Sequence, residues 1–507
     1  MQINRIKNTK RNAVWGMVEK VISLALPFVL RTIIIKELGE SVLGLNSLFT
    51  SLLQVLNMAE LGFSNAIIYN MYKPVAENDT DIICALMNLY RKVYYVIGVI
   101  VLLIGLLLVP FLPQLIKGTV PEGYNLYVLY AINLFNTVIS YFLFAYKNCL
   151  LNAYHRNDII SKVRTLTLFF QYAYQFFVLL VFKDYYLYLI ILPIITIANN
   201  VINAYIVTKL FPEYKCRGKI SKSKIEDIKL NVSGLMIGKI CLVSRNSFDS
   251  IFVSAFLGLT SVAMYTNYYY IISAVNIFLS VITESMRAGI GNSIVTETVE
   301  KNYHDFRVFY MGYAWLSGWC TVCLLCLFQP FMKLWMGESL MFPYTTVVLF
   351  AVYFYSLKLG DIRSVYSNAT GLFWQSRHYV IIEAISNVVL NYVFVKIWGV
   401  NGIIVATNLT IIFINFVWGT IVIFKYYFVN ESFIRFVGEQ FSYFLVNAMV
   451  AGVTIYICKM VVIGDIIGFI IKIVICITVP NLLFLLVYSR FPLFKDAYVF
   501  TKRIIKR

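Results

Sequence analysis

Residues 93–112 read VYYVIGVIVLLIGLLLVPFL, twenty positions without one charged side chain. Wound as an α-helix, twenty apolar residues reach across the ~30 Å hydrocarbon core of a bilayer, so this run is a membrane span. The same texture continues in both directions. Over 507 residues the chain is 60% hydrophobic and 13% charged, with a mean hydropathy of +0.76. A soluble domain carries about a quarter charged residues, which excludes a water-soluble multidomain enzyme. The apolar content fills roughly 14 spans of ~21 residues each.

Apolar runs bounded by Gly, Pro, Asn or charge predict helices at 13–37, 41–72, 82–112, 122–152, 158–182, 185–209, 229–257, 261–294, 306–329, 343–369, 378–397, 400–424, 437–461 and 465–489. The basic start of the chain, Arg5, Lys7, Lys10 and Arg11, leads into a stretch interrupted by Glu19, Lys20 and Arg31 with no small-residue cleavage site. It therefore reads as an uncleaved first helix. Fourteen spans put both termini on one side. The segments on that side hold 28 Lys and Arg, and the opposite side holds 6. The excess marks the cytoplasmic face, so both termini are expected in the cytoplasm of a multi-pass membrane protein. It also explains the net charge of +18 without nucleic acid.

The longest polar connection, 211–228, divides the chain. The expected organisation is an N-terminal lobe of six helices at 1–210, the basic cytoplasmic loop 211–228, a second six-helix lobe at 229–428, two appended helices at 429–490, and a basic tail at 491–507. A weak repeat supports the division. Leu38-Gly39 opens the second helix and Gly62-Phe63-Ser64-Asn65-Ala66-Ile67 ends it; Leu257-Gly258 opens the eighth and Gly289-Ile290-Gly291-Asn292-Ser293-Ile294 ends it. The fourth and tenth helices end alike, at Asn152-Ala153 and Asn368-Ala369. Two like halves suggest a transporter built around a central cavity.

Ionisable side chains inside spans are costly and mark function. Arg245 and Asp249, Lys358 and Asp361, and Glu284 and Arg287 are spaced to pair on one helical face. Arg31 and Lys147 have no partner three or four residues away. In the first helix Asn12, Gly16, Lys20, Ser23, Pro27 and Arg31 form a polar stripe that suits a cavity wall. Basic groups outnumber acidic ones, and 37 tyrosines accompany them. A cationic, Tyr- and Asn-rich cavity suits an amphipathic anion, with phosphate for Arg and Lys and sugar for the aromatics and amides. The candidate substrate contacts are Arg31, Lys147, Arg245, Lys358 and Arg363, with Asp249, Asp361 and Glu60 as partner or coupling carboxylates. No catalytic triad or phosphate loop is evident, and no cofactor is expected. Cys320, Cys323 and Cys326 form a tandem CxxCxxC, but with no His or acidic ligand nearby in an apolar helix, no metal site is expected.

The sequence resembles the bacterial polysaccharide flippases of the multidrug/oligosaccharidyl-lipid/polysaccharide exporter superfamily over residues 1 to 490. The carriers are Arg11-Asn12, Leu38-Gly39, Gly44, Glu60-Leu61-Gly62, and Tyr72-Lys73-Pro74-Val75-Ala76-Glu77, which resembles the family's short cytoplasmic turn after helix two. Arg363 to Gly371, then Glu383, Asn387, Asn391, Gly399 and Gly402 look like its tenth to twelfth helices. The resemblance implies an all-α, MATE-like, V-shaped bundle of two six-helix lobes plus two C-terminal helices. It implies a monomer that flips an undecaprenyl-pyrophosphate-linked oligosaccharide between leaflets by alternating access. Such a chain would work with a polysaccharide polymerase and other assembly proteins for capsule, exopolysaccharide or O-antigen. The alternative is a cation-coupled multidrug exporter of the same superfamily. Its drug-exporting relatives use an acidic residue in the first helix, whereas Glu19 of this chain lies near the cytoplasmic end. A membrane polymerase or ligase would need a sizeable outer loop, which the hydropathy pattern lacks.

Overall fold

Along the helix at 373–398, Glu383, Asn387, Asn391 and Val395 are buried, while Ile381, Ile382, Ile385 and Val389 are exposed. Spacing of four places the polar residues on one face. A helix in water turns its apolar stripe inward. Here the polar stripe is inward, the arrangement that a lipid solvent requires.

The computed structural model describes residues 5–60, 63–461 and 466–505, and every regular element among them is helical. The chain forms two units, Met1–Ala263 and Met264–Arg507. The first holds α1 (Arg5–Leu38), α2 (Glu40–Leu56), α3 (Phe63–Glu77), α4 (Thr80–Leu108), α5 (Leu126–Phe142), α6 (Asn148–Ala153), α7 (Asn157–Val181), α8 (Tyr185–Leu210), α9 (Lys222–Leu257) and the start of α10 (Leu259–Thr296). The second holds the rest of α10, then α11 (Val299–Met336), α12 (Tyr344–Leu359), α13 (Asp361–Ala369), α14 (Phe373–Trp398) and α15 (Val400–Leu409). A π-helical segment (Thr410–Trp418) leads into α16 (Gly419–Tyr426), followed by α17 (Phe433–Met460), α18 (Ile466–Tyr488) and α19 (Phe494–Ile505).

Ten helices among the described residues are long and apolar enough to cross a membrane. There are eleven if Leu126–Phe142 and Ala145–Ala153, bent by 49°, form one span. Length and hydropathy among the described residues therefore do not confirm the count of 14. The other three predicted runs are helical, and each is weakened for a visible reason. α1 carries Glu19, Lys20 and Arg31. The run at 41–72 breaks at a 3₁₀ turn, Asn57–Glu60, which leaves α2 only 17 residues long. α7 opens with Asp158, Lys162 and Arg164. Leu61 and Gly62 of the repeat lie outside the described residues, as do Met1 to Asn4.

The run at 343–369 also breaks, at Gly360 between α12 and α13. The turn expected at Tyr72–Glu77 falls later. α3 continues through Pro74 to Glu77, and the chain reverses at Asn78, whose φ is 54°. Asp79 then caps α4 by accepting the Ile82 N–H at 3.0 Å. The loop after α8 is held rather than loose, since Asn88 donates to the Gly218 carbonyl at 2.9 Å while Lys215, Arg217 and Lys219 stay exposed. In the tail, α19 lays Phe494 against Trp315 with ring centroids 6.4 Å apart.

The two Leu-Gly turns of the repeat share a backbone shape. Gly39 has φ 91° and Gly258 has φ 94°, a region that a side chain disfavours. Gly44 matters for a different reason: a Cβ there would lie 2.0 Å from the Leu259 carbonyl oxygen, a backbone atom that no rotamer change can move. Gly44→Ala is expected to force α2 off the start of α10 and cost about 3 kcal/mol, the upper end for overpacking. A melting curve in detergent checks this, and an unshifted midpoint would refute the close approach.

Candidate functional site

Two clusters of polar side chains sit at helix breaks, one in each unit. In the second unit the break at Gly360 ends α12 with Lys358 and begins α13 with Asp361 and Arg363. Lys358, 7% exposed, donates to Asp361 at 2.7 Å, and the Tyr313 hydroxyl from α11 donates to the same carboxylate oxygen at 2.5 Å. The i,i+3 spacing predicted this pair, and burial strengthens it by keeping water away.

Arg363 points elsewhere. It is 2% exposed, and its two Nη groups donate to the Asn415 backbone carbonyl and, at 2.8 Å, to the Asn415 side-chain oxygen. The Asn415 amide in turn donates to Glu383 at 2.7 Å. The guanidinium lies 5.4 Å from the centroid of the Tyr379 ring. Arg363 is therefore joined to the Glu383 carboxylate through one asparagine, which balances a buried cation without direct contact. Asn415 belongs to the π-helical segment, where the altered backbone turns its carbonyl toward Arg363. Along α14 the network continues as Asn387 donates to Thr407 at 3.0 Å and Asn391 donates to Asn387 at 3.3 Å.

In the first unit the 3₁₀ turn Asn57–Glu60 plays the corresponding part. Glu60 accepts the Tyr94 hydroxyl, and Ser64 donates to it at 3.2 Å. The Tyr90 hydroxyl donates to Tyr94 at 2.9 Å, and Tyr141 donates to the Asn57 side chain at 2.9 Å. The result is a carboxylate at the end of a short run of hydroxyls, which can hold a proton or pass it on. Lys147 ends the 3₁₀ turn Ala145–Lys147 between α5 and α6, following Phe144 at φ 55°. Its Nζ donates to Thr208 at 2.8 Å. Arg31 is half-buried on α1, within electrostatic reach of Tyr188. Arg245 and Asp249, 7% and 3% exposed, lie one turn apart on α9.

The predicted residues thus fall into separate groups. Lys358 and Asp361 are together. Arg363 is near them in sequence but bonded to Asn415. Glu60 has hydroxyl partners in place of a cation. Glu284 and Arg287 do pair, at 3.0 Å, but both are more than half exposed. Sequence reasoning missed Tyr313, Asn415, Tyr94, Ser64 and Asp158. Asp158 explains why Arg11-Asn12 stands out. Fully buried, it binds Arg11 and Arg156 at 2.9 Å and Lys162 at 3.3 Å, while the Asn12 side chain accepts its N–H at 2.7 Å.

Apolar spans enclosing ion pairs and amide networks at helix breaks define a polytopic membrane protein. Residues 9–286, more than half the chain, match the polysaccharide biosynthesis protein family, and the chain belongs to that family. Its fold is similar to that of the lipid II flippase MurJ in an inward closed conformation, with a TM-score of 0.60 at 14% identity over 94% of this chain and 99% of that one. It is also similar to an inward-facing multidrug resistance MATE family transporter of the MOP superfamily, with a TM-score of 0.60 at 14% identity over 80% and 97% of the two chains. The Vibrio cholerae MATE transporter VcmN in its bent form gives a TM-score of 0.54 at 15% identity over 84% and 98%. No curated protein matches the sequence.

Proposed function

We propose that this protein flips an undecaprenyl-pyrophosphate-linked oligosaccharide repeat unit from the inner to the outer leaflet of the bacterial cytoplasmic membrane by alternating access. The product would feed capsule, exopolysaccharide or O-antigen assembly by a polymerase and its associated proteins. One observation carries the reading: each half interrupts a helix beside a lysine, Lys147 at the 49° bend after Leu126–Phe142 and Lys358 at the one-residue turn of Gly360 inside the apolar stretch Tyr344–Ala369. The two interrupted runs are the predicted fourth and tenth, the ones that end alike. Interrupted helices at matching positions of two repeats point to a transport site, because non-helical backbone is tolerated at membrane depth only where protein or a cavity receives it.

In this reading 1–210 and 229–428 are the moving lobes, 429–490 is an accessory pair, and both termini are cytoplasmic. The proposed contacts for the pyrophosphate are Arg31, Lys147, Arg245, Lys358 and Arg363. Lys358 and Arg363 are already committed to Asp361 and Asn415, so anion contact requires exchange of those partners. That exchange links substrate arrival to a change at the helix break. Asp249, Asp361 and Glu60 take up the released positive partners or protons.

The test is the fate of lipid-linked sugar in cells lacking the protein. Repeat units accumulating on the cytoplasmic leaflet, with surface polysaccharide lost, would establish flipping and reveal the glycan. Normal polysaccharide with drug hypersensitivity would instead favour a multidrug exporter. Arg31→Ala and Lys147→Ala, both at half-buried positions, are expected to cut export at least about tenfold at unchanged membrane abundance, the factor that a lost charged contact of 1.5–3 kcal/mol produces. Undiminished polysaccharide from both variants would remove them from the site.

A further inference from the structure

The tandem CxxCxxC does not converge on itself, because residues six apart on a helix point about 120° away from each other. Cys326 instead meets two cysteines from distant sequence. Cys326 on α11, Cys458 on α17 and Cys476 on α18 are all buried, and their three sulfurs lie within 4.8 Å of one another. Secondary contacts hold this arrangement. Pro480 has no N–H to give the carbonyl four residues before it, so the Cys476 carbonyl lacks its helical partner. Trp319 donates its Nε1–H to that carbonyl at 2.8 Å, and Cys323 donates its thiol at 3.8 Å. The proline therefore fixes α18 against α11 at the very residue that carries a ligand atom.

Three sulfurs without a carboxylate or imidazole among them select a soft ion. Calcium and magnesium want oxygen, and zinc in a structural site wants four donors. At a metal–sulfur distance of about 2.3 Å, three sulfurs in one plane stand about 4 Å apart, which fits the observed cluster. Thiolates in a span need a balancing charge. Lys472, one turn before Cys476 on α18, supplies one and acts electrostatically on Cys458.

We propose that Cys326, Cys458 and Cys476 form a trigonal thiolate site for a soft monovalent d¹⁰ cation, copper(I). The bound ion clamps α17 and α18, the pair appended to the second lobe, onto α11. The site is independent of the flipping assignment, since none of its residues belongs to the helix-break clusters.

The experiment uses the full chain in lipid nanodiscs, titrated without oxygen with copper(I) against a coloured chelator. One ion per chain is expected, with X-ray absorption showing three sulfurs at about 2.3 Å. Cys326→Ser, Cys458→Ser and Cys476→Ser should each weaken binding by at least about tenfold, the least that loss of a supporting group costs a metal site. Cys84→Ser and Cys149→Ser should leave it unchanged. The proposal is overturned if copper binds no more tightly than to the triple variant, or if the protein from cells carries a disulfide among the three. Should the serine variants fail to fold, the wild-type spectrum still decides: two-sulfur or nitrogen and oxygen coordination rejects the site.

Discussion

Lys358→Ala is expected to destabilise the folded protein by about 3 kcal/mol and to abolish export. The lysine is almost fully buried and its removal leaves the Asp361 carboxylate with only the Tyr313 hydroxyl. Losing one partner of a buried pair costs about 3–5 kcal/mol, and the Asp361 side chain, 29% exposed, places this case at the low end. Asp361→Ala should act in the same direction through an unpaired ammonium. The double variant is the informative one. With both charges gone it should be more stable than the sum of the singles predicts by about 1–3 kcal/mol, the coupling typical of residues in contact. Export should nevertheless stay lost in all three. Melting in detergent beside polysaccharide output at matched abundance separates the two effects. Strict additivity of the melting shifts would mean that the pair does not interact, and export recovered in the double variant would mean that the charges serve stability alone.

The second large effect belongs to a residue with no side chain. A Cβ on Gly419 would lie 1.2 Å from Arg363 Nη1, so alanine and the guanidinium cannot share this space. Gly419→Ala should expel Arg363 from Asn415 and leave the Glu383–Asn415 pair without its cation. Loss of such a network costs about 3–5 kcal/mol, enough to exhaust the stability of many proteins. Arg363→Lys alone should also destabilise, since lysine lacks the two-pronged donor set that Asn415 receives. Combined with Gly419→Ala, however, the slimmer lysine should restore part of the melting temperature. If the two changes merely add, Gly419 does not act through Arg363.

Much of this was readable in the sequence, and the limits have physical causes. The Leu-Gly turns before α2 and α10 were visible because a positive φ selects glycine. The Lys358–Asp361 pair was visible because helical spacing alone brings those groups together. The breaks at Asn57–Glu60 and Gly360 were not, since hydropathy continues across them. What ends the helix is a tertiary demand, such as Tyr141 capturing Asn57, that local pattern does not carry. Arg363 showed itself as a buried cation, yet its partner lies 52 residues further on in a segment that reads as plain apolar helix. The three clustered cysteines posed the same difficulty, being drawn from helices far apart in the chain.

The π-helical segment Thr410–Trp418 has an effect on everything after it. An α-helix advances 100° per residue, so one extra residue accommodated within a wider turn shifts the angular phase of all that follows by about that amount. α15 and α16 thus run nearly as one rod while presenting differently phased faces to their surroundings. A helical wheel drawn continuously from Val400 to Tyr426 misassigns one end or the other. Removing a single residue between 410 and 418 would leave a more regular helix, yet it would rotate Gly419 away from the guanidinium that needs its vacant side.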